Sequence, residues 1–515
     1  MNGAESLVRT LLNAEVSVCF ANPGTSEMHF VSALDRVEGV RCILGLFEGV
    51  VTGAADGYYR VAGKPAATLL HLGPGLGNGL ANLHNAKKAR SGIVNVVGEH
   101  AGYHIQYDAP LTADIEGVAR PMSDWVKTSR SSKTIASDGA LAVAAARKAP
   151  GQIATLILPA DTAWGEADAV AAALPVAERL SVTKHCVQQG AKALEQGTST
   201  MLLLGNVALR GKALEWAGRI AAKTGCQLMS EYNNARMERG AGRVPVRQLP
   251  FVVDNALALL KDITHLVLVG AKSPVSFFAY PGKPSVLVSE ACEVITVAKA
   301  EEDLESALQA MAIELGAVDC LPLCNAPTYD VPLPTGPVTL DGLGVLFNVL
   351  IPDNAIVIDE AVTSGRAFAA ATMGARPHDW LNIMGGSIGW GLAASVGAAI
   401  AAPDRKVIAL EGDGSALYTQ QALWTMAREN LDITIVIFAN RAYKILLGEL
   451  NNVGGGQPGR NAMDMLTLDR PSVDWVSIAK GYGVQSARAQ TLDELALQFK
   501  RGLAHHGPYL IELVM

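Results

Sequence analysis

Short apolar runs that stop at glycine recur along the whole 515-residue chain, and no other feature constrains its fold as strongly. A run of four to eight apolar residues without alternation reads as a strand covered on both faces, and a glycine at its carboxyl end lets the chain turn tightly into a helix. Residues 42–47, 66–72, 92–98, 155–159, 200–205, 265–271, 355–359, 406–412 and 433–440 fit this description, with helical patterns between nearly all of them. The expected fold class is α/β, built on doubly wound parallel sheets.

The length suggests about three domains at roughly 150 residues each. Two stretches break the strand–helix rhythm: residues 172–181 and the proline-rich 322–337, where proline removes ladder donors and fixes an extended backbone. The division read from these breaks is 1–171, 182–321 and 338–515. The outer blocks echo each other: residues 53–73 and 391–412 each run from a small-residue helix through a short basic turn into an apolar strand closing on glycine. Chance and internal duplication both account for that echo; a duplication implies two related sheet domains flanking a middle one.

Charge removes several function classes. Forty-two basic against 49 acidic residues leave a net charge of -7 with no run of Lys or Arg, so no nucleic-acid partner is expected. The longest apolar stretch, residues 387–402, is Gly/Ala-rich and shorter than the roughly 20 residues of a membrane span, and no membrane association is expected. The first residues lack the basic, apolar and small-residue segments of a signal peptide, and seven cysteines, an odd and scattered set, suit a reducing compartment. A cytoplasmic protein is expected. Cys320 and Cys324 have no second Cys/His pair, which argues against zinc.

The strongest chemical signal is Gly412, Asp413, Gly414 and Ser415 at the end of one strand, followed by Asn440, Arg441 and Ala442 at the end of the next. A carboxylate, an amide oxygen and a free carbonyl are hard ligands of the kind Mg²⁺ takes together with phosphate oxygens. The flanking glycines let the backbone approach a diphosphate closely. Alone, the same residues are also compatible with a simple tight turn.

Together with residues 21–27 (ANPGTSE), 45–60 (GLFEGVVTGAADGYYR), 412–425 (GDGSALYTQQALWT) and 479–485 (AKGYGVQ), this pattern resembles the thiamine diphosphate enzymes. The resemblance covers nearly the whole chain and is closest to benzoylformate decarboxylase and the acetolactate synthase large subunit. It implies pyrimidine-binding, middle and diphosphate-binding domains, with thiamine diphosphate and Mg²⁺ as cofactors. It also implies Asp413, Asn440 and the Ala442 carbonyl as metal ligands, and Gly412, Gly414, Ser415, Val362 and Thr363 about the diphosphate. Ala439 departs from the asparagine pair of the family, but the second asparagine, Asn440, is kept.

Glu48 stands in an apolar setting, LGLFEGVV, where an ionised carboxylate needs compensation. Without the resemblance it reads as a strand-end or helix-start charge. With it, Glu48 is the carboxylate that binds the aminopyrimidine ring, promoting loss of the thiazolium C2 proton to give the ylid. Ile388 matches the bulky residue that props the cofactor in its bent form, and the Gly386 carbonyl matches the acceptor for its amino group. The family places this glutamate and the metal motif on different subunits, which implies a homodimer or homotetramer with active sites at subunit interfaces.

The substrate implied is a small 2-oxo acid or an aldehyde. His71 aligns with the active-site histidine of benzoylformate decarboxylase and is read as a general acid/base. Thr25 falls where that family holds the substrate carboxylate, and a turn-capping role is the alternative. His29 is a second candidate facing the cofactor cleft. Residues 273–282 resemble the segment carrying that family's second catalytic histidine but contain none; Phe277 or Phe278 stands in its place. The expected reaction is ylid attack, decarboxylation and enamine protonation to an aldehyde. The first alternative is an acetolactate synthase-like carboligase, the second a non-catalytic cofactor-binding protein. FAD is not expected, because residues 200–211 carry only a partial glycine fingerprint. Residues 448–465, rich in Gly and Asn, are read as a lid or an inert loop, and residues 508–515 as a final strand.

Overall fold

In a computed structural model that describes residues 1–515, the expected α/β class is realised as three sheets. The first contains β1 (Val18–Asn22), β2 (Arg41–Leu44), β3 (Ala66–Leu70), β4 (Ile93–Glu99), β5 (Trp125–Thr128) and β6 (Ile153–Pro159), all parallel, in the order β2-β1-β3-β4-β6-β5. The second contains β7 (Thr200–Leu204), β8 (Gln227–Ser230), β10 (Arg247–Gln248), β11 (His265–Val269) and β12 (Glu293–Ala298), parallel, in the order β10-β8-β7-β11-β12. The third contains β13 (Ala355–Glu360), β14 (His378–Asn382), β15 (Val407–Gly412), β16 (Ile433–Ala439), β17 (Gln485–Ala489) and β18 (Tyr509–Val514), parallel, plus the antiparallel β9 (Met237–Arg239). Its order is β17-β18-β16-β15-β13-β14-β9.

The echo between the outer blocks corresponds to a shared topology. Replacing β1 through β6 by β13 through β18 turns the first order into the third, read from the other edge and leaving β9 aside. Equivalent strand ends therefore carry His71 (after β3) and Asp413 (after β15). Six helices bear on the site: α1 (Met28–Arg36), α2 (Glu48–Ala62), α3 (Leu72–Ala89), α4 (Gly391–Ala401), α5 (Lys444–Asn452) and α6 (Arg460–Leu466).

Helices α2 and α4, topological counterparts, pack face to face between the outer sheets. Their small residues bring the backbones into contact: a Cβ on Gly57 would lie 2.1 Å from the Ala394 carbonyl oxygen, and one on Gly397 would lie 1.8 Å from that of Ala54. Residues of both sheets and both helices join one apolar core there, among them Ile43 and Ile356 from the strands and Val50 and Val396 from the helices. A buried ion pair fastens the contact: Arg60 Nη2 donates to Asp56 Oδ2 at 2.6 Å, and Trp390 Nε1 donates to the same oxygen at 2.7 Å. The Arg60 guanidinium lies 4.4 Å from the Trp390 ring centre and also donates to the Asn382 carbonyl at 2.7 Å. Burial lowers the Arg60 pKa, but with every donor group engaged the charge is compensated.

Several local expectations need correction. The helix expected from Gly53 starts at Glu48. Residues 448–465 are not one glycine-rich loop: they comprise the second half of α5, a turn and most of α6. β5, β14 and β17 escaped the apolar-run criterion because WVKT, HDWLN and QSARA carry polar residues. The apolar stretch 387–402 contains the eleven-residue α4, and no helix is long and apolar enough to cross a membrane. Residues 172–179 and 321–336 form neither helix nor strand.

Replacing Gly57 with Ala inserts a methyl group into a backbone contact and is expected to cost about 3 kcal/mol or more. Gly77→Ala, on the exposed side of α3 with nothing within 4 Å of the new Cβ, is expected to be neutral or stabilising. Thermal unfolding of the two variants checks the contrast; an unchanged Gly57→Ala midpoint would contradict the packing described.

Candidate active site

Ligands of open parallel sheets bind at the carboxyl ends of the strands, and both outer sheets concentrate polar side chains there. Glu48 is the first residue of α2, and its Oε2 accepts from Asn78 Nδ2 at 3.0 Å. A Cβ on Gly75 would lie 3.2 Å from Glu48 Oε1 and 3.3 Å from the His71 Cβ, so both side chains flank one spot. His71 Nδ1 lies 2.8 Å from Glu27 Oε2. Glu27 is only 2% exposed and also accepts from the Gly24 amide at 2.7 Å and from the Ser26 hydroxyl. Acceptance by the carboxylate assigns the proton to Nδ1 and leaves Nε2 of the neutral ring as the acceptor. Gly24 packs flat on this imidazole, where a Cβ would come within 2.2 Å of Nδ1.

The other candidates of this sheet lie nearby in sequence but not in one cluster. Thr25 opens the 3-10 turn Thr25–Glu27 and is exposed. His29 is an exposed residue of α1 whose ring lies tilted against Trp164 at 5.5 Å between centres; no hydrogen bond joins it to the Glu27–His71 pair.

On the third sheet, Asp413 and Asn440 follow the paired strands β15 and β16. Asp413 is 4% exposed; its Oδ1 accepts from the Gly414 amide at 2.9 Å and its Oδ2 from the Arg441 amide at 2.6 Å. Burial pushes the carboxyl pKa up, and these amides pull it back. No Lys or Arg side chain pairs with it. Asn440 Oδ1 accepts from the Ala442 amide at 3.0 Å, which folds residues 440–442 into a compact turn. One uncompensated buried carboxylate beside an amide and a backbone carbonyl suits a divalent cation that shares its remaining positions with phosphate. No group of three or more His, Cys, Asp and Glu side chains offers a metal cage, so the donor set is of the open kind. Ser415 is buried, and Gly414 meets the Tyr443 ring, 2.6 Å from where a Cβ would stand.

Beneath this edge the register pairs Glu360 with Glu411, both fully buried. Glu360 accepts from the Gly389 and Gly391 amides at 2.9 and 2.6 Å, whereas neither oxygen of Glu411 has a partner. Burial and the neighbouring Glu360 raise Glu411 well above the ordinary carboxylate range, so Glu411 holds the proton. Val362, at the end of β13, has φ +48, a strained conformation for a β-branched residue; Thr363 follows it.

The loop from Gly385 to Gly389 is held from α3 by two asparagines that the sequence reading missed. Asn85 accepts from the Gly385 and Ser387 amides and donates to the Ser387 carbonyl at 2.7 Å. Asn82 donates to the Gly49 and Gly389 carbonyls at 2.8 and 3.1 Å. With Asn78 they form a row at positions i, i+4 and i+7 of α3, and that spacing was the available signal. Glu27 was also missed; its place three residues after Gly24 is a capping-box position. Within the loop, Gly386 has φ +72 and Ile388 is half-buried. Phe277, rather than Phe278, approaches Gly386, its Cζ 2.9 Å from where a Cβ would stand. Beside this loop a cleft of about 810 Å³ opens between Thr363, Ser364 and Asn440 on one side and Phe251, Tyr280 and Lys283 on the other. Burial and the neighbouring Glu449 carboxylate push the Tyr280 phenol up to about 12.

Comparison with known proteins places these features in context. Residues 1–118 match the family described as thiamine pyrophosphate enzyme, N-terminal TPP binding domain, and residues 362–513 match its C-terminal TPP binding domain. The chain is 49% identical over 516 residues to the protein named "Putative acetolactate synthase large subunit IlvX" of Mycobacterium tuberculosis, covering 100% of this chain and 99% of that one. It is 28% identical to benzoylformate decarboxylase of Pseudomonas aeruginosa, covering 97% and 96%. The structure of Rhodococcus jostii RHA1 thiamine diphosphate-dependent 4-hydroxybenzoylformate decarboxylase superposes with a TM-score of 0.86 at 25% identity, covering 99% of this chain and 98% of that one.

Asp413→Asn keeps the shape of the side chain and removes its charge. Mg²⁺ binding in the presence of thiamine diphosphate, followed by calorimetry, is expected to weaken at least about tenfold, or ~1.4 kcal/mol. The same variant without ligands is expected to melt higher at pH 8, because a carboxyl raised by burial is costly when ionised.

Proposed function

The chain belongs to the thiamine pyrophosphate enzymes, and from that premise we propose that it is a Mg²⁺-dependent decarboxylase of 2-oxo acids that releases an aldehyde, in the manner of benzoylformate decarboxylase. Bound thiamine diphosphate supplies the electron sink for the pair left when CO₂ departs. Everything else is done by the protein. Asp413, Asn440 and the Ala442 carbonyl hold Mg²⁺, while Gly412, Gly414, Ser415, Val362 and Thr363 surround the diphosphate. The Gly386 carbonyl and Ile388 orient the aminopyrimidine, and Glu48 shares a proton with its ring nitrogen. The observation that carries this reading is the Glu27–His71 pair beside Glu48: a histidine fixed at Nδ1, with Nε2 left to exchange a proton with the substrate, at the spot the Glu48 carboxylate also faces. The Thr25 hydroxyl then takes the substrate carboxylate, with His29 a more distant candidate.

Two further points complete the reading. Glu48 and the metal motif act across subunits in a homodimer or homotetramer; the exposed Met28 and Leu46, close in sequence to His29 and Glu48, are surfaces such assembly would cover. The retained Glu48, Asp413 and Asn440 argue against a protein that merely stores cofactor.

A second reading, carboligation as in acetolactate synthase, is favoured by Phe277 and Phe278. They put an apolar edge where a histidine would otherwise protonate the intermediate, and their rings meet edge to face at 4.9 Å between centres. Proton NMR of the protein with thiamine diphosphate, Mg²⁺, benzoylformate and pyruvate separates the two. Benzaldehyde or acetaldehyde as the main product is expected; acetolactate or a mixed acyloin would replace the first reading by the second.

A further inference from the structure

A second histidine stands at the same sheet edge as His71, and no role has been assigned to it. β3 and β4 are neighbours, with Leu70 paired to Val97, so His71 leaves the sheet level with Gly98, two residues before His100, and lies near enough to act on the His100 charge. The Glu27 carboxylate that holds His71 also packs against β4, where a Cβ on Gly98 would stand 1.6 Å from Glu27 Oε1. The His100 ring is 5.5 Å from that of His104, which is in turn 5.8 Å from Tyr107, and both of these are exposed. The loop is pinned by the Gly102 amide, which donates to Asp161 Oδ1 at 3.1 Å. His100 Nε2 is shielded from solvent and has no hydrogen-bond partner, which is costly unless the nitrogen meets something the chain alone does not supply.

We propose that His100 is a proton-relay residue that resupplies His71 from solvent by way of His104. The need for one follows from the balance of the reaction. A 2-oxo carboxylate and one proton become an aldehyde and CO₂; the electron pair of the broken C–C bond ends in the new C–H bond. One proton must therefore enter the site in every turnover. His71 donates it at the carbon and, being 22% exposed with its Nδ1 tied to Glu27, needs a neighbour to return it. Residues 273–282 provide no histidine for this purpose. The groups facing His100 are Glu99 at the end of β4, His104 on the loop, and His71 after β3, itself held by Glu27 from the turn Thr25–Glu27. Burial, His104 and His71 together lower the His100 pKa, which keeps the ring neutral and able to accept at one nitrogen and release at the other.

The inference rests on the decarboxylase reading, so two readouts separate their failures. In holoenzyme loaded with thiamine diphosphate and Mg²⁺, His100→Gln is expected to lower kcat for 2-oxo acid decarboxylation about tenfold or more with KM unchanged. The same substitution should raise the share of ligated product. Added imidazole should restore the rate of His100→Ala. A folded His100→Gln protein with the parent kcat and pH profile would overturn the relay. Independently of activity, NMR titration of ¹³C-labelled histidines should show the His100 midpoint below the usual value, moving up in His71→Gln as the imidazole that opposes a charge on His100 is lost. An unmoved midpoint overturns the proposal even in an active decarboxylase, whereas a moved midpoint with only ligation products overturns the decarboxylase reading and leaves the coupling of the two histidines standing.

Discussion

The contact between α2 and α4 is the constraint on which the site depends. Two helices whose backbones touch at Gly57 and Gly397 cannot slide or rotate without a clash, and the Asp56–Arg60–Trp390 bonds fix their register. Glu48 is the first residue of one helix and the Gly385–Gly389 loop leads into the other. A carboxylate expected to activate a cofactor and a carbonyl expected to orient one are thus parts of one rigid unit, which fixes the two half-sites that each chain would lend to shared sites. The asparagine row on α3 closes that unit by joining Gly49 to Gly389 through Asn82.

The shared strand order of the outer sheets explains why polar groups accumulate at matching places. Each sheet turns its carboxyl edge into a site: one edge carries Glu27, Glu48, His71 and His100, the other Asp413 and Asn440. The first supplies proton-transfer groups, the second hard oxygen donors and the approach to a diphosphate. Buried charge is handled differently in each. Asp56 is paired with Arg60, Glu360 is held by two helix-start amides while Glu411 stays protonated, and Asp413 is held by two backbone amides with no Lys or Arg side chain paired to it. A metal ion at Asp413 would supply that missing positive charge.

Much of this was legible in the sequence. Glycine-terminated apolar runs located the buried central strands, and the motif around Asp413 and Asn440 located the oxygen donors. The edge strand QSARA was not legible, because a strand with one solvent-facing side need not be uniformly apolar, and the buried HDWLN was hidden by polar residues whose partners lie elsewhere in the fold. The Gly448 to Met465 segment misled because its glycines and asparagines lie within α5 and α6 as well as in the turn between them, and composition cannot show that two helices pack there. Glu27 and the row Asn78, Asn82 and Asn85 were hidden for another reason. Their roles depend on partners 30 to 307 positions away, which only the folded chain brings together.

The central claim is that Glu48 acts as the carboxylate that draws a proton from the cofactor through its aminopyrimidine ring. The most direct measurement is the rate of hydrogen–deuterium exchange at C2 of bound thiamine diphosphate, read by quenched proton NMR, in the parent and in Glu48→Gln. Exchange slowed by about 10²-fold or more in the variant, with cofactor still bound, is the predicted result. Exchange at the parent rate would contradict the account.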